Sequence, residues 1–344
     1  MIDIELPNTE LPPPTISKPR EFLRPLPQDG HYLLILDNSA LEHFTKCPTS
    51  ALHYLIYRRE AHARNAALTF GGAIHEGIKG YLLGESAQEQ DQRIVQYFTE
   101  NPSPPDEYRT VGMALRVMAH YRIQDLGWEI LEDNGEQLIE KPFEIPLGRL
   151  DVNTKIRLPE WPEPRHVEAI HVAWSGRIDL VAHVNGHNRV VDHKTTSIGG
   201  DQYIPAFQLA HQTIGYTWVA RILWPELDIT GFCLDGIGLR RVQEDTKNLI
   251  AKGPRGGEAP LTFFKAFFDY TQERLEKWEA NTLTITSDLV HCLVRNQFPM
   301  FTNSCFGKYG KCMYHDACTI ENDQVRMRFL NSDSFKPVTW NPVL

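Results

Sequence analysis

Two short runs carry residue types that suit hydrolytic metal chemistry: Gly176-Arg177-Ile178-Asp179 and Asp192-His193-Lys194. Side chains alternate along a strand, so Asp192 and Lys194 point to one face. If Asp179 opens its own strand and Asp-x-Lys ends the neighbour, two carboxylates and an ammonium meet at one edge. Two hard oxygen ligands suit Mg2+ or Mn2+, which keeps several waters of its own. Such an ion activates a water and neutralises charge growing on a phosphate, while a lysine orients that water or stabilises the oxyanion. The apolar flanks Leu180-Val181 and Val190-Val191 would wall the edge off from bulk water. Taken singly, each run also reads as an ordinary charged strand end.

The elements that must position these residues follow from periodicity. Asn38 and Ser39 look like a helix start, Pro48 ends that helix after Cys47, and 50–59 reads as a second one. Further helical patterns cover 70–83, which carries His75, then 88–100 and 105–124. Segments 140–148, 166–174 and 176–184 read as strands. Asn185-Gly186 is a hairpin turn, and 189–196 is the next strand. Residues 203–222 read as a helix, 229–239 as a strand and 270–297 as a long helix. The sum is an α/β (α+β) fold in which a mixed central sheet is flanked by helices. Four regions are expected: a Pro-rich arm (1–36), a helical region (37–135), a core (136–300) and a Cys-rich tail segment (301–344).

Composition sets bounds. With 42% hydrophobic residues the chain can bury a large core. No apolar run is long enough for a membrane helix, and the acidic, Pro-rich start is not a signal peptide, so the expected location is cytoplasmic. The net charge of −9 disfavours unspecific binding of nucleic acid, which needs a local basic patch; Arg240, Arg241, Lys247, Lys252 and Arg255 are candidates. Six cysteines in such a chain argue against a disulfide scaffold. Three of them, Cys305, Cys312 and Cys318, crowd together and ask for a metal explanation.

In this order the motifs resemble the PD-(D/E)XK nuclease superfamily, specifically its RecB-like branch of AddB-type and CRISPR-adaptation nucleases. There a helical His precedes the strands, as in Gly71-Gly72-Ala73-Ile74-His75, and a Gln-x-x-x-Tyr follows, as in Gln212-Thr213-Ile214-Gly215-Tyr216. The resemblance implies a restriction-endonuclease-like core with a helical N-terminal region. It implies that His75, Asp179, Asp192 and the His193 carbonyl bind the metal and that Lys194 assists the water. Gln212 and Tyr216, one turn apart, would contact the DNA backbone or brace the site.

The branch often holds a [4Fe–4S] cluster on four cysteines, and Cys47, Cys305, Cys312 and Cys318 resemble that set. Six residues separate Cys305 from Cys312 where the family more commonly shows two. Zinc on the same cysteines is the rival.

The function implied is a metal-dependent DNA exonuclease of bacterial, archaeal or phage origin, working in recombination, repair, CRISPR adaptation or phage DNA metabolism. The chain has no Walker-type motif, so a helicase would be a separate partner; an oligomer is compatible with the sequence. The alternatives are an inactive nuclease-fold DNA-binding module and a zinc-stabilised structural protein. Asp179, Asp192 and Lys194 are all present, which speaks against a degenerate site.

Overall fold

The computed structural model describes residues 22–61, 65–124, 126–198, 200–239, 261–307 and 310–338. In chain order, the first elements are strands β1 (Leu23–Pro25) and β2 (His31–Leu36) and helices α1 (Asn38–Lys46), α2 (Ala66–Leu82), α3 (Ala87–Glu100) and α4 (Val111–Tyr121). Strands β3 (Trp128–Ile130), β4 (Ile139–Ile156), β5 (Arg165–Val184) and β6 (His187–Thr196) follow. Helix α5 (His211–Leu223), strands β7 (Gly231–Leu239) and β8 (Leu261–Asp269), and helix α6 (Gln272–Arg295) complete the main set. The class is mixed α/β, with a mixed sheet and flanking helices. Among the described residues no helix is long and apolar enough to cross a membrane.

The chain divides into two units interleaved in sequence. One comprises Arg64–Lys141 and Ile178–Leu275; the other comprises Met1–Ala63, Pro142–Arg177 and Glu276–Leu344. Every residue expected to bind the divalent ion lies in the first, and the four expected cluster cysteines lie in the second.

In the unit with the acidic residues, Asn185 and Gly186 both take positive φ (51° and 76°), the backbone of a type I′ turn. That turn makes β5 and β6 an antiparallel hairpin from Val184↔His187 to Leu180↔Val191. β7 runs parallel to β6, and β8 returns antiparallel to β7. A parallel pair needs a long crossover, and 197–230 supplies it with α5. One sheet face presents Leu180, Ala182, Val191, Cys233 and Ile237, which bury against Phe70, Ile74 and Ile78 of α2 and Val117 and Met118 of α4. The opposite face carries Asp192 and Lys194 and meets α5, whose Gln212 reaches Asp192.

Several boundaries differ from expectation. Segments 166–174 and 176–184 are one strand, β5, because Ser175 and Gly176 keep extended geometry inside it. The helix expected over 203–222 starts only at His211; before it, Gly200–Tyr203 and Ile204–Ala206 are short turns, and Pro205 supplies no N–H to a longer helix.

In the other unit, part of the expected Pro-rich arm is ordered as strands. β1 pairs with β2, and β2 runs parallel to 169–174 of β5. Pro25 ends β1, an edge position where its missing N–H costs no ladder bond. Residues 1–21 lie outside the described residues, as does the basic stretch 240–255. Asp37 caps α1 by accepting from the Ala40 N–H at 2.7 Å, one residue ahead of the expected start. The second helix begins at Pro48, which suits a first helical position, and continues as a π-turn over Leu52–Ile56.

Candidate active site

The candidate site sits where the β5–β6 ladder stops. Among the described residues Leu180↔Val191 is the last pair that joins the two strands. There the Asp179 carboxylate takes the role of a ladder carbonyl, with its Oδ2 accepting the His193 N–H at 3.2 Å. Asp179 thus lies inside β5 at a fork rather than at a strand start. On β6, Lys194 Nζ donates to Asp192 Oδ1 at 2.9 Å and lies 2.7 Å from Oδ2. Gln212 Nε2 donates to the same Oδ1 at 3.1 Å. Tyr216 follows one turn later on α5 and is buried.

His75 arrives from α2. Asn65 starts that helix by accepting from the Ala67 N–H at 2.9 Å. Gly71 lets it lie close to β6: a Cβ there would stand 3.3 Å from Thr195 Oγ1. One turn later, His75 Nε2 faces the His193 carbonyl at 2.5 Å, and its Nδ1 faces Asp179 Oδ2 at 3.3 Å. Both ring nitrogens therefore point at acceptors, which a neutral imidazole satisfies from one side only. The neighbouring Glu76 turns away to pair with Arg93 at 3.3 Å. Gln208 is exposed.

The two carboxylates are electrostatically unequal. Burial would raise Asp179, but His75, Lys194 and His193 outweigh it and hold the carboxyl below its ordinary range. Burial dominates at Asp192, and with the neighbouring Asp179 charge it pushes this carboxyl up despite Lys194. Lys194 is itself raised: burial opposes its charge, yet Asp192 and Asp179 prevail. Carboxylates pushed apart in this way are a common feature of reacting centres.

Among the described residues no three His, Cys, Asp or Glu side chains already stand as a metal-holding group. The positions beside the carboxylates are taken by the Lys194 ammonium and the His75 ring. The donors nonetheless suit a hard divalent ion: two carboxylates, a backbone carbonyl and an imidazole converge. Asp192 Oδ2 is buried without a hydrogen bond, since the nearby ammonium lies off the bonding direction. That leaves a lone pair for a cation.

The sequence reading misses what lies beneath the strand. The His193 side chain points to the helix-covered face, where Asp235 and Tyr121 meet it. A carboxylate inside the apolar run of β7 is the available signal. It also misses the row Lys194–Gly236–Phe264 across the sheet. A Cβ on Gly236 would lie 2.1 Å from Phe264 Cζ, so the ring occupies the space a side chain would need.

In the other unit the cysteines gather around Cys318. Its thiol is pushed up to about 11, first by burial, then by the proximity of Cys312, Cys47 and Cys305. Within the unusual six-residue gap Phe306–Gly307 pair antiparallel with Gly310–Lys311, and the Cys312 N–H donates to the Cys305 carbonyl at 2.8 Å. Cys47 Sγ accepts the Phe301 N–H at 3.4 Å. His53 Nε2 stands 3.7 Å from Cys318 Sγ. All six cysteines are free; Cys233 is core, and Cys292 is only half-buried.

No curated protein matches the chain. Among solved structures it is similar to a "putative exonuclease" from Eubacterium rectale, at 12% identity and a TM-score of 0.40, over 75% of this chain and 82% of that one. A likeness so slight carries no weight here. The family model of the PD-(D/E)XK nuclease superfamily, by contrast, matches residues 38–319, the span from the start of α1 to just past Cys318. The chain belongs to the PD-(D/E)XK nuclease superfamily.

Proposed function

We propose that the chain is a divalent-metal-dependent DNA nuclease whose reacting centre is the fork between β5 and β6. The observation that carries this reading is the convergence of Asp179, Asp192, Lys194 and His75 on that fork. Asp179, Asp192, the His193 carbonyl and His75 would hold Mg2+ or Mn2+. The bound ion would supply a water acidified for attack and charge neutralisation at the phosphate. Lys194, pinned on Asp192, stands ready to orient that water or to donate toward a phosphoryl oxygen. Gln212 fixes the Asp192 rotamer, and buried Tyr216 braces the same helix.

The Gly-Gly-x-x-His helix and the Gln-x-x-x-Tyr helix support placement in the RecB-like branch, and with it exonucleolytic action on DNA, with any motor supplied by a separate protein. The gathering of Cys47, Cys305, Cys312 and Cys318 supports a [4Fe–4S] cluster in the other unit. Four soft thiolates also suit zinc, so metal content decides between the two.

The test is a survey of end-labelled single- and double-stranded DNA with protein purified anaerobically, in Mn2+, Mg2+ or chelator, alongside iron and zinc analysis. Cutting that requires the added ion, and shortens labelled strands from an end, is expected. Binding without cutting in every ion would favour the inactive DNA-binding module.

A further inference from the structure

β6 places three consecutive residues on alternating faces. Asp192 and Lys194 face the candidate site, while the His193 side chain enters the helix-covered core. There its Nδ1 stands 3.0 Å from Oδ2 of Asp235, its register partner on β7. The Tyr121 hydroxyl donates to that same oxygen at 3.2 Å. His193, Asp235 and Tyr121 are all buried, with relative exposures of 2%, 4% and 1%. Their surroundings include Val191, Cys233 and Ile237.

Burying a carboxylate and an imidazole in such a core is costly unless both are hydrogen-bonded, and three apolar side chains would serve packing alone as well or better. The backbone of His193 suggests what the polar trio is for. Its N–H is held by Asp179, and its carbonyl faces His75. A swing of this peptide would displace the carbonyl and disturb Asp179 together. A side chain clamped from below resists that swing, because Asp235 ties β6 to the neighbouring strand and Tyr121 fixes the carboxylate rotamer.

We propose that Asp235 is a positioning residue that, through the His193 imidazole and with Tyr121 as its brace, aims the His193 carbonyl at the divalent-ion site. The inference rests on the reading of that fork as a metal site. It requires only that His193 donate from Nδ1 to Asp235, which the ring does whether or not Nε2 carries a proton, so no change of charge is involved. Outer partners that orient a metal ligand contribute about 10–100-fold to affinity in other sites.

The experiment is a titration of the full chain with Mn2+, reading free ion by electron paramagnetic resonance rather than by activity. Wild type is compared with Asp235→Ala, Asp235→Asn, Tyr121→Phe and, as the control for the ion site itself, Asp192→Asn. Asp235→Ala should weaken Mn2+ binding by about 10–100-fold. Asp235→Asn keeps an oxygen that accepts from both donors, so it should recover most of that loss. Tyr121→Phe should fall between wild type and Asp235→Ala.

If Asp192→Asn abolishes binding while Asp235→Ala binds like wild type, the ion site stands and the positioning role is overturned. Equal weakening by Asp235→Ala and Asp235→Asn would also overturn it, since charge and not hydrogen bonding would then be responsible. Absence of Mn2+ binding by folded wild type would remove the metal reading and this inference with it. Circular dichroism checks each fold; should Asp235→Ala fail to fold, wild-type affinity in Tyr121→Phe would overturn the proposal.

Discussion

The oxygen-rich fork and the cysteine group are assembled by opposite means. The fork is local: Asp179, Asp192 and Lys194 sit on one hairpin, and strand alternation alone decides their faces. The cysteine group joins Cys47 at the end of α1 to a segment more than 250 residues later, where Cys47 Sγ receives the Phe301 N–H (sequence separation 254). The fork surrounds its carboxylates with His75 and Lys194, whereas the Cys318 thiol, raised by burial and by the other three cysteines, stays protonated near neutral pH. The difference teaches which site can exist without its metal. The carboxylates already have cationic partners, whereas the four thiols, on the metal reading proposed above, would give up their protons to the ion they hold.

The largest effect that would sharpen this contrast is expected at Cys318. With a metal on the cysteines as proposed, Cys318→Ser should release it and lower the melting temperature by roughly 10 °C, as a loss of several kcal/mol would do in a domain of this size. Scanning calorimetry with metal analysis checks it; unchanged iron or zinc content and unchanged melting would make the thiols incidental.

Next in size is a pH effect in the same unit. The His43 imidazole stacks on Tyr54 at 4.2 Å and meets Ser50 Oγ at 2.7 Å. Burial, and then Lys46, pushes it down to about 4 from an ordinary 6.5. The folded state therefore refuses a proton that the unfolded chain accepts. Stability should be full above pH 6.5 and decline as pH falls toward 4, by up to roughly 3 kcal/mol. Denaturant unfolding across that range reads the slope, and His43→Gln should reduce it, leaving the part owed to His53, which burial likewise pushes down to about 4.

A smaller effect probes the fork's own sheet. Gly236→Ala forces a methyl into the Phe264 ring, whose other side is close enough to Gly200 that a Cβ there would stand at 3.6 Å. The expected cost is about 1–3 kcal/mol, and Phe264→Leu in the same chain should recover part of it. A Gly236→Ala chain as stable as wild type would mean that the ring moves freely and that the row beside Lys194 is not packed.

The contrast also explains what the sequence could and could not disclose. Asp192-x-Lys194 and Gln212-x-x-x-Tyr216 are periodic signals, so their faces follow from local geometry, and Asn185-Gly186 announces its hairpin through two residues that tolerate positive φ. The fork at Asp179 has no local signature, because it depends on where a ladder between two strands ends. Sequence pattern cuts the long strand β5 in two at Ser175-Gly176, whose turn propensity is overridden inside the sheet. Tyr121 and Asp235 lie 114 residues apart, so only a carboxylate in an apolar strand hints at them. The pairing of Phe306–Gly307 with Gly310–Lys311 between Cys305 and Cys312 is foreshadowed by Gly307 and Gly310, of which Gly310 takes φ +100°.

The most direct test of the central claim is the rate of Mn2+-dependent cutting of end-labelled DNA by wild type and by Lys194→Ala, with folding and Mn2+ binding measured on the same samples. The account predicts that the variant folds and still binds Mn2+ but cuts at least about a thousandfold more slowly, a loss of roughly 4 kcal/mol in transition-state stabilisation. Equal cutting by the two proteins would contradict the assignment of the fork between β5 and β6 as the reacting centre.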